Sequence, residues 1–111
     1  MLYKFKSKAT GDVIMLQPNG QRMLEIIGKH TAAEPSVQGI LLPEQMPQAL
    51  DSLQAAVALE ETQHQEAITQ AKAENLQIPR FEAVNLRQRA VPFMDMIRRC
   101  QQEQEAITWG V

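Results

Sequence analysis

Apolar and polar positions alternate from Leu2 to Lys6. Tyr3 and Phe5 fall on one strand face, and Leu2, Lys4 and Lys6 on the other. Lysines on the outer face also suit an exposed sheet edge. Ala9-Thr10-Gly11-Asp12 carries turn chemistry, and the short apolar run Val13-Ile14-Met15-Leu16 follows it. The pattern predicts a second strand, antiparallel to the first. Pro18-Asn19-Gly20 then turns the chain, with Asn19 as a candidate N-cap. Met23, Leu24, Ile26 and Ile27 form a one-sided stripe, which predicts a first helix from about Gly20 to His30. Gly28 near its end weakens the last turn or admits a close approach.

Thr31 to Gly39 reads as a connector containing Pro35. Gly39 to Leu42 reads as a very short strand or an extended lead into the next helix. Pro43 fits a first helical turn, and Glu44 complements the helix dipole there. Pro47, a turn further in, predicts a distorted opening before the regular helix. Leu50, Leu53 and Val57 then lie on one stripe, with Ala49 and Ala56 allowing close packing. From Gln63 to Asn75 the chain has good helix propensity, but Ile68 is its only large apolar residue. A projecting helix extension or mobile linker is expected within residues 62–83.

The stretch Val84 to Cys100 is helical in spacing but has a proline in its middle. Asn85 is a candidate N-cap, and Leu86, Ala90, Phe93 and Ile97 recur as one buried stripe. Pro92 lacks the N–H that would bond to Gln88, at about 3 kcal/mol if unrelieved. Because the stripe continues through the break, one kinked helix is expected, with Pro92 structural rather than a functional hinge. The closing residues Ile107, Thr108, Trp109 and Val111 favour a strand. The expected fold is a single α+β domain over residues 1–111. Its small, mainly antiparallel sheet, an N-terminal hairpin plus a C-terminal strand, packs against three helices.

Composition adds limits. With three Phe, one Tyr and one Trp, the core must be mostly aliphatic. The net charge of −2 does not favour nucleic acid. Its distribution is uneven: residues 51–79 hold five acids and one lysine, whereas 80–99 hold five arginines and two acids. A single cysteine, Cys100, fits a reducing compartment. The opening MLYKFKSKATG lacks a signal-peptide core, and no run reaches the roughly 20 apolar residues of a membrane span. A cytoplasmic protein without a membrane partner is expected.

Chemical motifs are sparse. Cys100, His30 and His64 share no metal-ligand spacing. Glu60, Glu61, His64 and Glu66 read as a solvated helix face, so no metal and no cofactor are expected. The five glycines match no phosphate loop, and no GxSxG elbow occurs. No catalytic residue is assigned. Cys100 reads as a buried or incidental thiol, since a helix C-terminal region does not stabilise a thiolate.

The arginines remain. At about 100° per residue, Arg87 and Arg98 point in nearly the same direction beside the apolar stripe. They could grip a carboxylate or phosphate. Asp95, four residues before Arg99, is expected to pair with it. Trp109 is either a core anchor or an interface hot spot. Arg87, Arg98 and Trp109 are therefore the candidate binding residues. The leading expectation is a small non-catalytic interaction or regulatory module that binds an acidic protein partner, or itself as a homodimer. The alternative is a protein or enzyme that binds a small anionic ligand in an arginine-lined pocket. RNA binding is a weaker third reading, since interleaved aromatics are absent.

Several segments together resemble one family. MLYKFKSKATGDVIML, NGQRMLEIIGK, GILLPEQMPQAL, LRQRAVPF and the closing WGV look like the bacterial family catalogued as domain of unknown function 1840. Residues 62–83 fall where that family is expected to vary in length. The resemblance implies a small bacterial cytosolic protein with no established activity. It supplies no catalytic residues to carry over.

Overall fold

The alternation at the N-terminus becomes a hairpin. β1 (Leu2–Phe5) pairs antiparallel with β2 (Val13–Leu16), with Leu2 opposite Leu16 and Lys4 opposite Ile14. The structure, a computed structural model, describes residues 2–30, 37–81 and 84–110. Part of the expected 31–39 connector, including Pro35, lies outside the described residues. So do residues 82–83 of the expected linker and Val111 of the closing strand.

α1 (Gln17–Ile26) begins three residues earlier than the sequence suggests. Pro18 sits in the first turn, where its fixed φ is already helical and its missing N–H has no intrahelical role. Leu16 is thus the N-cap, without a side-chain cap bond, and Asn19 lies inside the helix. The helix also stops short of His30. Gly28 takes a left-handed φ of 80°, and the Lys29 N–H donates to the Leu24 carbonyl at 2.7 Å. Gly28 is therefore a helix-ending glycine, which satisfies carbonyls the last turn leaves open.

β3 (Gly39–Leu41) is the very short strand, followed by a 3-10 turn at Pro43–Gln45 and then α2 (Met46–Ala73). The two closely spaced prolines account for the distorted opening. In the 3-10 turn the Leu42 N–H donates to the Gln45 side-chain oxygen at 3.0 Å. α2 buries Ala49, Leu53 and Val57, with Leu50 and Ala56 packed at the margin. It continues unbroken through Ile68 to Ala73. Its 28 residues span about 42 Å. This helix dominates the 52 Å long dimension of the molecule.

α3 (Leu86–Glu103) is one helix through Pro92. Asn85 caps it as expected: the Gln88 N–H donates to Asn85 Oδ1, and the Asn85 N–H donates to Gln88 Oε1, both at 2.9 Å. Leu86, Ala90, Phe93 and Ile97 are all buried, while Pro92 and Gln88 face outward. The carbonyl that Pro92 leaves without a donor therefore belongs to a solvent-facing residue, which limits the penalty.

β4 (Ile107–Trp109) pairs antiparallel with β3. It also meets the continuation of β1, where Lys6 and Thr108 exchange two backbone hydrogen bonds of 2.8 Å. The fold is α+β: two small antiparallel sheets joined at that bridge, with three helices. Tyr3, Phe5, Leu41, Ile107 and Trp109 point from the strands into the core. There Phe5 lies 4.6 Å from the Phe93 ring and 5.9 Å from Trp109, ring centre to ring centre. No helix among the described residues is long and apolar enough to cross a membrane.

Candidate functional site

The three residues singled out by sequence do not converge. Arg87, in the first turn of α3, makes a two-pronged contact with Glu61 of α2, from Nε at 2.9 Å and Nη2 at 2.6 Å. Arg98, eleven positions on, lies about 16 Å further along the helix axis. It pairs with Asp95 at 3.1 Å. The expected partner of Asp95 was Arg99; the three-residue spacing serves instead of the four-residue one, both being neighbours on a helix surface. Trp109 is completely buried and offers no contact surface, so its place here is in the core.

The Arg87–Glu61 pair titrates in a defined sense. The hydrogen bond from Arg87 holds the Glu61 carboxyl below its ordinary value of 4.5, and the carboxylate in turn raises the guanidinium. A carboxyl depressed by folding stabilises the folded state above its unfolded pKa and loses that contribution as pH falls through the folded value. Glu61→Gln should therefore melt below wild type at neutral pH, by a small and salt-sensitive margin since both groups are exposed. The gap should close as pH drops below 4.5, which paired thermal melts would show.

A second arrangement was not legible from the chain. α1, α2, the segment after α2 and the start of α3 enclose a cleft of about 310 Å³. Arg22, Arg80 and Arg89 reach it from three different elements, beside the stacked rings of His64 and Phe81, whose centres are 3.9 Å apart. The cleft also carries its own carboxylate. Glu60 accepts from Arg22 at 3.2 Å and from the Leu86 backbone N–H, at the start of α3, at 3.0 Å. One largely buried side chain thus joins three helices and occupies the position an anion would take at a helix N-terminus. Glu60→Ala should lower stability by about 1–2 kcal/mol, because it leaves the Leu86 N–H without its acceptor. Chemical denaturation measures that loss. Glu60 and His64 do share a helix face, yet no group of three potential metal ligands assembles among the described residues.

The third arrangement is the outer face of the hairpin. Tyr3 and Phe5 turn inward, so Leu2 and Lys4 turn outward, and the register sets Leu16 and Ile14 opposite them. Leu2, Ile14 and Leu16 are 57%, 53% and 62% exposed. Three large aliphatic side chains side by side form a contiguous apolar patch rather than scattered surface residues. Lys4 and, by the same alternation, Lys6 also lie on this face, and Lys6 shares a pocket with Asp12 and Glu105. No ion pair involving either lysine occurs among the described residues.

Sequence reasoning read Val13-Ile14-Met15-Leu16 as a uniformly apolar run and did not separate its two faces. The usable signal was the alternation in β1 combined with an in-register hairpin, which puts Ile14 and Leu16 on the lysine side.

The fold, the signature segments and their order now stand together. The model for a Domain of unknown function (DUF1840) matches residues 1–109. The chain belongs to that family. No curated protein and no solved structure matches it. Membership in DUF1840 carries no assigned activity.

Proposed function

We propose that this member of DUF1840 is a non-catalytic interaction module of the bacterial cytosol that docks an acidic protein segment on the outer face of its hairpin. The observation that carries the reading is the register-paired cluster of Leu2, Ile14 and Leu16, flanked on the same face by Lys4 and Lys6. Exposed aliphatic area supplies the affinity, and the lysines select carboxylates and speed encounter. Arg87 and Arg98 play a secondary part, because a partner must first displace Glu61 or Asp95. The cleft is a poorer candidate for a small anion, since Glu60 already supplies a carboxylate there.

Selection of displayed random peptides on the immobilised protein tests this. Selected peptides should combine acidic and large apolar residues. Their binding should weaken at least about tenfold in Ile14→Lys/Leu16→Lys, the equivalent of losing roughly 1.4 kcal/mol. Peptides that bind this variant and wild type equally would contradict the reading.

A further inference from the structure

β2 has a neighbour on one side only. Its four residues pair with β1, and no other backbone bond to them occurs among the described residues. An edge strand of this kind points alternate N–H and C=O groups outward as a template for another strand. Natural edges are blunted with lysine, proline, a bulge or a covering element. β2 reads Val-Ile-Met-Leu and is in unbroken register with β1. Beside this edge lies a groove of about 300 Å³ that touches all four β2 residues. Its other wall is formed by Asn19 of α1 and Gln88, Arg89 and Pro92 of α3. An open edge and an apolar flank therefore meet at one groove.

We infer that the partner segment binds in extended form, adding as a third strand along the free edge of β2 in the groove bounded by Pro92 of α3. This deepens, and rests on, the reading of the hairpin face as the docking surface. Main-chain hydrogen bonds to β2 hold such a segment, and side chains at alternate positions set specificity. Residues of the segment beside Ile14 and Leu16 project outward with them and are apolar. Residues beside Val13 and Met15 turn toward the groove wall. Carboxylates are favoured by Lys4 on the outer face. An acidic segment fits this edge better than a second copy, whose own outer face again carries Lys4 and Lys6.

The experiment takes a selected acidic peptide whose binding requires Ile14 and Leu16 and methylates its backbone amides one at a time. A strand lying along β2 directs every second amide toward it. N-methylation should thus weaken binding by about tenfold at alternate positions, one hydrogen bond each, and leave the positions between nearly unchanged. Hydrogen exchange on the protein should slow at β2 amides when the peptide binds. If no methylation matters and β2 exchange is unchanged, strand addition is wrong while the docking face stands. If no selected peptide requires Ile14 and Leu16, both readings fall. A dimer of the protein alone with protected β2 amides would assign the edge to a second copy and overturn the peptide as its occupant.

Discussion

Phe5→Ala is expected to lower stability by about 3–5 kcal/mol, the range for removing a fully enclosed large aromatic side chain. Phe5 has no exposed surface and sits between Phe93 of α3 and Trp109 of β4, with Tyr3 at 6.3 Å on the same strand face. Its ring is where the first strand, the last strand and the third helix meet. Loss of the transfer free energy is compounded by a cavity that three separate elements cannot easily close. A domain of this size has on the order of 5–15 kcal/mol in total, so the variant should unfold at a much lower denaturant concentration. A loss below about 1 kcal/mol would mean that the site collapses freely and that Phe5 is not central.

Gly20→Val should cost about 2–3 kcal/mol by overpacking. Gly20 is a buried residue of α1, and a Cβ placed on it would come within 2.6 Å of the Tyr3 Cβ and Cγ atoms. Those atoms are the root of a buried side chain, so no flexible tip can swing away and the helix must shift off β1. Helix propensity pulls the other way, since glycine is worse than alanine by about 1 kcal/mol. Gly20→Ala should therefore be milder than Gly20→Val, with propensity offsetting part of the clash. If both substitutions stabilise the protein in denaturant melts, the contact between α1 and β1 is loose enough to admit the added atoms.

Much of this architecture was written locally. The β1 alternation places Tyr3 and Phe5 inside, and the Leu86, Ala90, Phe93, Ile97 stripe buries in full. Asn85 announces the start of α3, and Pro43 with Pro47 announces the distorted entry to α2. The start of α1 was misread because Asn19 and Pro18 both signal helix starts. Proline in the first turn decided the matter and left the asparagine inside.

The surface arrangement was less accessible, for a different reason. Glu60 meets Arg22 across 38 positions and the Leu86 N–H across 26. No local pattern encodes pairs that only the packing of three helices creates. In β2 every residue is apolar, so period-two burial leaves no trace in its own sequence and must be inferred from its partner strand. The arginines were legible as charges but not as pairs. Arg87 is engaged by a carboxylate from α2 that lies 26 positions away.

The most direct test of the docking surface is an amide NMR map of the protein titrated with a selected acidic peptide. Shifts should concentrate on residues 2–6 and 13–16, with Gln88 to Pro92 responding beside them. Shifts confined to the cleft around Arg80 and His64, or to the edge carrying Arg87 and Arg98, would contradict docking there.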